Sequence, residues 1–295
     1  MQLHYASGPI VQWRRRLYRS VLLLLAIGAT AYAIVPIILI VVASFAKNIN
    51  ASMAYWDPLS WRALIPAGGV TISNYTEAMR GALGPAAFAP ALLNSIIVSL
   101  STVVAGLLIC ILAAYALAVL RFRLREAVFA LVVVSFLVPF DLVSIPLAGS
   151  FRSWGLSNSL TGLIIPGLAS GLSIFILRQF FLGIPRELVD AGRVDGMTNL
   201  RLIFSIFVPL SKPAIVGAGV ILFLAQWGEY LWPLLTINDP SKEVAPVALA
   251  EYITEYATNF SGLFACAIVT TVLPMTAVFL LQRFFSATPV GAGDK

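Results

Sequence analysis

The sequence predicts an all-α protein that crosses a membrane six times. Three observations carry this: long uncharged apolar runs, a composition that is 60% hydrophobic and only 11% charged over 295 residues, and a one-sided distribution of Lys and Arg. Water-soluble chains carry about 25% charged residues, so with a mean hydropathy of +0.94 the solvent for most of this chain is lipid. An ordinary water-soluble enzyme is excluded. The net charge of +6 flanks the apolar runs and forms no separate basic domain, so no nucleic-acid partner is expected. Cys110 and Cys266 both lie inside apolar runs and His4 is the sole histidine, which gives neither a disulfide framework nor a metal site.

The first run, Ser20 to Ala46, is 27 residues without a charge, enough for a helix to cross about 30 Å of hydrocarbon. Arg14 to Arg16 before it would also suit a secretory leader, but the run's length and the lack of an Ala-x-Ala exit favour a retained span. The segment Lys47 to Pro90 holds Tyr55, Trp56, Trp61 and Tyr75, read as anchors at the membrane–water interface. Its end, Gly81 to Pro90, is too rich in Gly and Pro for regular helix. The second span lies within Ala91 to Leu120. The third runs from Ala127 to Ala148 and contains Asp141; the fourth falls between Ser157 and Leu177. The fifth, Pro213 to Thr236, contains Glu229, and the sixth lies between Tyr256 and Gln282. Alternating ten-residue strands are absent, which sets a transmembrane barrel aside.

Six spans place both termini on one side. Fourteen of the nineteen Lys and Arg residues, among them Arg121, Arg123, Arg125, Arg178, Arg186 and Arg193, fall on that side, and Lys47, Arg62, Arg80, Arg152 and Lys242 on the other. The basic side is the cytoplasm. Asn-x-Ser/Thr triplets at Asn50, Asn74 and Asn259 fall on the outer side and carry no weight.

The connection Gly183 to Lys212, about thirty residues, has a helical pattern of its own. Pro185 suits a first helical turn, Glu187 and Asp190 lie near the positive end of the dipole, and Gly196 supplies a stop. Leu188, Ala191 and Gly192 share a face, where small side chains would let another protein approach closely. A second, more apolar helix from Thr198 to Val208 would lie along the membrane surface, with Pro209 and Pro213 leading into the fifth span. On spacing alone, a solvated loop joining two spans also fits.

Asp190-Ala191-Gly192, Asp195-Gly196 and Val208-Pro209-Leu210 resemble the signature loop of binding-protein-dependent ABC importer permeases, which runs Glu-Ala-Ala, three residues, Gly, nine residues and an apolar helix closing in Leu-Pro. The likeness extends through Asn94-Ser95, Ala114-Tyr115-Ala116-Leu117, Pro139, Ile145-Pro146-Leu147, Gly155-Leu156 and Trp227-Gly228-Glu229-Tyr230-Leu231-Trp232-Pro233. These segments resemble the carbohydrate branch, and within it the six-helix partner of the maltose-type permease pair. Asp190 stands where the family has Glu, Gly192 where it has Ala and Met197 where it has Ala.

The resemblance implies a cytoplasmic tail over 1–19, a permease domain over 20–284 with a coupling loop at 183–212, and a second tail over 285–295. It implies coupling to ATPases through Glu187, Asp190, Ala191, Gly192, Asp195 and Gly196. The partners it implies are a second permease subunit, two ATP-binding subunits and an extracytoplasmic sugar-binding protein, in the inner membrane of a bacterium. ATP and Mg would be bound by the ATPase partners, because none of the chain's four lysines sits in a Gly-x-x-x-x-Gly-Lys-Ser/Thr loop. No catalytic constellation appears. Candidate pathway residues are Asp141, Gln226, Trp227, Glu229 and Tyr230, since ionisable groups inside a membrane usually face a cavity or a partner. Glu229 fits a sugar contact or a structural hydrogen bond equally well; Asp141 fits helix packing better. Gly167-x-x-x-Gly171 reads as a packing face. The rival reading is an ion-coupled secondary transporter using Asp141 and Glu229, which would be expected to show internal repeats that this chain lacks. A scaffold or enzyme subunit without transport is a third.

Overall fold

The computed structural model describes residues 9–56, 60–81, 87–253 and 260–284. His4, the tail 285–295, Asn259 and the middle of the Gly81 to Pro90 run lie outside them. Three apolar helices are long enough to cross a membrane alone: Leu17–Ser44, the apolar part of the helix Pro9–Ser44, then Phe88–Val119 and Phe260–Leu281. Three bent pairs bring the total to six: Arg125–Leu137 with Phe140–Ser153 at 96°, Leu160–Leu168 with Gly171–Leu182 at 41°, and Asn199–Leu210 with Lys212–Trp227 at 89°.

The six-span architecture therefore holds, but the third, fourth and fifth spans are not the continuous helices their hydropathy suggested. Pro139 has no N–H to donate and takes ψ 128°, so the third span turns there. Ser170 breaks the fourth and restarts it, its Oγ accepting the Ser173 N–H at 3.2 Å. The fifth runs Lys212–Trp227, stops at Gly228 and resumes as Leu231–Thr236. Pro90 lies in the first turn of Phe88–Val119, where the missing N–H costs nothing.

Phe88–Val119 is the central mast, packed against Gly171–Leu182 and Lys212–Trp227. The first helix stands outside this bundle, leans on Phe260–Leu281 and leaves most of its apolar side chains exposed. In the outer segment, two of the four aromatic anchors turn out to be packed. Tyr75 Oη lies 2.6 Å from Ser44 Oγ, and Trp56 stacks on Phe264 at 5.8 Å between ring centroids. The reason is local: Asn74 Nδ2 donates to the carbonyls of Ser44 and Ala46, at 2.8 and 3.0 Å, and ties the short helix Ser73–Arg80 to the end of the first span. Trp61 remains exposed.

Candidate functional site

The connection after the fourth span folds into the helix Arg186–Val194, a turn at Gly196 and the helical segment Asn199–Leu210. Gly196 adopts φ +75°, left-handed as a stop residue requires. Thr198 caps the next helix, its Oγ1 accepting the Arg201 N–H. That helix contains one π-helical stretch, Ile203–Phe207, and ends at the right-angled turn into the fifth span.

Glu187, Leu188, Asp190, Ala191, Val194, Asp195 and Gly196 are exposed, while Val189 and Gly192 are buried. The expectation that Gly192 shares an open small-residue face with Ala191 is thus corrected. At 100° per residue Gly192 falls next to Val189, on the side turned toward the chain itself. A Cβ there would sit 2.6 Å from Leu202 Cδ2 and 3.3 Å from both Ile206 Cδ1 and Met197 Sδ. Glycine stands here because Leu202 fills the space that an alanine methyl would need.

The loop is rooted in the bundle. Val189, Leu202, Ile203 and Phe207 join Ile111, Ala114, Tyr115, Leu177, Phe181 and Ala218 in one buried apolar cluster, and each large aliphatic or aromatic side chain buried there contributes about 1.5–3 kcal/mol. Tyr115 Oη donates to Asn199 Oδ1 at 3.0 Å, and the charge of the Arg193 guanidinium acts on the same phenol. One side chain of the second span thereby meets both helices of the loop. Arg178, counted from sequence among the cations on the cytoplasmic side, is buried. Its Nε donates to the Leu117 carbonyl at 3.1 Å, its Nη2 lies 3.3 Å from Glu126, and its guanidinium sits 3.8 Å from the centre of the Phe129 ring. It clamps the second, third and fourth spans where all three reach the loop. A basic residue at a span end reads as a topology signal, which hid this role of Arg178, and Tyr115 was marked only as part of a resemblance.

A second candidate site is a cavity of about 220 Å³, lined among others by Thr102, Phe140, Gly167, Gln226, Glu229 and Trp232. Thr102 Oγ1 donates to Gln226 Oε1 at 3.2 Å. Gly167 makes room for that pair, since a Cβ on it would fall 2.5 Å from Gln226 Oε1 and 2.8 Å from Thr102 Cγ2. Its partner Gly171 lies against Val132 O and Ser135 Oγ in the third span, so only Gly171 is a pure packing glycine. Glu229 Oε1 accepts the Trp232 N–H at 3.2 Å and starts the helix Leu231–Thr236. The carboxylate therefore has a structural bond and also faces the cavity.

Of the five candidate pathway residues, the cavity brings together Gln226 and Glu229. Trp227 is turned away, its Nε1 donating to the Thr270 carbonyl at 3.1 Å in the last span, because consecutive residues of a helix point in different directions. Tyr230 is exposed outside the lining. Asp141 is exposed beside the lining residue Phe140. The tryptophan that does line the cavity is Trp232, held by its Nε1 donating to Gly162 O at 3.1 Å and by edge contacts to Phe140 and Phe151.

At the opposite end of the mast, Asn94 Nδ2 donates to the carbonyls of Ser241 and Glu243, and Ser95 Oγ accepts the Ala245 N–H at 2.8 Å. Asn158, at φ +58°, accepts the N–H groups of Asn238 and Asp239. These clamps fix the segment between the fifth and sixth spans. Within it, hydrogen bonds from Ser241 and then Lys242 hold the Asp239 carboxyl below its usual range. Burial, followed by repulsion from Glu251, pushes Glu243 up. Among the described residues no cluster of His, Cys, Asp and Glu could hold a metal ion.

Comparison with known proteins bears on the family and the fold. Residues 106–288 match the family described as binding-protein-dependent transport system inner membrane component. The chain is 34% identical over 203 residues to the arabinooligosaccharides transport system permease protein AraQ of Halalkalibacterium halodurans, covering 68% of this chain and 72% of that protein. It is 31% identical over 257 residues to the sn-glycerol-3-phosphate transport system permease protein UgpE of Rhizobium meliloti, covering 85% and 91%. Among solved structures it superposes on a chain from a bacterial ABC transporter involved in the import of the acidic polysaccharide alginate, with a TM-score of 0.77 at 21% identity over 92% of this chain and 97% of that one. At that identity the superposition speaks for the fold.

Proposed function

The chain belongs to the family of binding-protein-dependent transport system inner membrane components, and on that premise we propose that it is the permease subunit of an ATP-driven importer carrying a saccharide or saccharide derivative across a bacterial inner membrane. Family membership removes the ion-coupled carrier built on Asp141 and Glu229. The observation that carries the proposal is the helix Arg186–Val194: it offers Glu187, Leu188, Asp190, Ala191 and Val194 to solvent, while Val189 and Gly192 fix it to the core of the bundle. An exposed helix that is rigidly rooted is what a coupling element needs.

In this reading the exposed face docks on a separate ATP-binding subunit. Two such subunits, a second permease and an extracytoplasmic binding protein complete the machine, and ATP with Mg is bound and hydrolysed in the ATPases. Closure of the ATPases moves the coupling helix; Tyr115, Arg193, Asn199 and Arg178 pass that movement to the second, third and fourth spans. Asp190 is one methylene shorter than the family's Glu and reaches less far; its ion pair with Arg193, 3.9 Å apart and exposed, adds little of its own. The cavity at Gln226 and Glu229 is smaller than the roughly 300–1,000 Å³ of a typical ligand pocket, which suits one half of a pathway closed by the second permease.

Saccharides are the expected cargo because AraQ is named for arabinooligosaccharides; UgpE, named for a glycerol phosphate ester, makes a small polyol ester the alternative to test beside them. The test is reconstitution with the co-purifying subunits, followed by uptake of arabinotriose and of glycerol 3-phosphate with and without ATP. Uptake that requires ATP and is lost in Asp190→Lys supports the proposal. Uptake that survives ATP depletion, or that persists in Asp190→Lys, contradicts it.

A further inference from the structure

We infer that the cavity selects against anions, and that the carried saccharide is uncharged. This deepens the permease reading above and rests on it. The relatives named for a neutral oligosaccharide and for a phosphate ester leave the charge of the cargo open, and the cavity supplies the discriminating chemistry. Among its lining residues there is one carboxylate, Glu229, and no Lys or Arg. Asp141 is exposed at the start of the helix whose first residue, Phe140, lines the cavity, which sets a second acidic group beside that wall. A phosphate or uronate entering here would meet this negative potential with no cation on this wall to offset it, in surroundings where charges are weakly screened.

The rest of the lining fits hydroxyl groups. Glu229 spends Oε1 on the Trp232 N–H and has acceptor capacity left on its second oxygen. Gln226 uses its Oε1 to accept from Thr102, which leaves its amide N–H groups as donors. A sugar hydroxyl is both donor and acceptor, so it can give to Glu229 and take from Gln226. The Trp232 and Phe140 rings supply apolar wall. Gly167, by lacking a Cβ, keeps the Gln226 and Thr102 pair in place.

The charge of the cavity can be measured without knowing the natural cargo. Ala169 and Ala225 line it and are exposed, so each is replaced singly by cysteine in the full transporter complex in membrane vesicles. Cys110 and Cys266 are buried, and vesicles with the unsubstituted chain give the background. Each variant is treated with cationic trimethylammonium-ethyl methanethiosulfonate and with anionic sulfonatoethyl methanethiosulfonate, and the ratio of rates is divided by the same ratio for free cysteine. One carboxylate within about 8 Å in a half-wet site predicts a normalised ratio of about ten in favour of the cation, falling at least threefold in Glu229→Gln. Glutamine keeps an oxygen to accept the Trp232 N–H, so this variant removes charge and not the helix start.

A ratio at or below one, a ratio unmoved by Glu229→Gln, or no reaction of either thiol overturns the inference. ATP-driven uptake of arabinotriose is followed in the same vesicles to keep the two readings apart. Lost cation preference with intact uptake strikes the charge inference alone. Retained preference with no ATP-driven uptake of any probe strikes the permease reading and, with it, the assignment of the cargo.

Discussion

Replacing Gly192 by Ala restores the residue usual in the family and should nonetheless damage this chain. In an exposed helix the change gains about 1 kcal/mol of helix propensity. Here the new methyl would lie 2.6 Å from Leu202 Cδ2, and Leu202 is fully buried in the cluster that roots the loop. Overpacking of that kind costs about 1–3 kcal/mol, so the net effect is a loss of up to about 2 kcal/mol, together with the helix Arg186–Val194 lifted off its seat. Leu202→Ala alone should cost about 2–5 kcal/mol through the cavity it leaves. The double variant should be less destabilised than the sum, because the alanine methyl moves into part of that cavity; contacting residues show coupling of about 0.5–3 kcal/mol. The assay is a double-mutant cycle by reversible detergent denaturation of the purified chain, with ATP hydrolysed per sugar imported measured for each variant in the complex. Gly192→Ala that stabilises by the full propensity gain, or a cycle that is additive within about 0.5 kcal/mol, would refute the reasoning.

Other expectations follow from the same contacts. Gly196 is left-handed with open space around it, so Gly196→Asn should retain uptake whereas Gly196→Val, β-branched at positive φ, should lose most of it; equal uptake by the two would count against the turn. Arg178→Lys should cost on the order of 1–3 kcal/mol in denaturation, because lysine cannot bond the Leu117 carbonyl and stack on Phe129 at once; an unchanged midpoint would show that the clamp is idle. Glu243 is raised in the folded chain, so its contribution is present below the ordinary carboxylate range and disappears as pH rises through the raised value. Hydrogen exchange of the segment 238–252 should therefore quicken as pH rises above the ordinary carboxylate range, beyond the intrinsic pH effect, and Glu243→Gln should flatten that trend. Asp239 has the opposite sign: its contribution is present above the ordinary range and lost as pH falls through the lowered value.

The spans, the helix Arg186–Val194 and the turn at Gly196 were legible because each depends on neighbours in sequence. Apolar length sets a span, and a glycine after a helical pattern sets a stop. Pro139 entered the sequence reading only as part of a resemblance, inside a span read as continuous, and the 96° angle it produces depends on how two helix segments pack against the bundle. The side of Arg186–Val194 that turns inward was not legible from spacing: Leu188, Ala191 and Gly192 lie within about 100° of one another, and the boundary between core and solvent runs through them, set by Leu202. Asn94 and Ser95 were noted only as part of a resemblance, since their work is done on carbonyls and an amide some 150 residues away. The structure divides the candidate pathway residues around Glu229. Helical rotation sends Gln226 and Trp227 to different neighbours, and the break at Gly228 then brings Glu229 and Trp232 to the cavity.

The central claim is that the exposed face of Arg186–Val194 joins this chain to separate ATPases, and co-purification tests it most directly. The tagged chain is recovered from native membranes in mild detergent and its companions are counted, for the unsubstituted chain and for Asp190→Lys combined with Val194→Asp, both exposed positions whose change should leave the fold intact. The account predicts one further permease and two ATP-binding chains with the unsubstituted protein, and loss of at least one ATP-binding chain, with the second permease retained, in the double variant. Recovery of a lone chain or a homo-oligomer, or full retention of both ATP-binding chains by the variant, would contradict it.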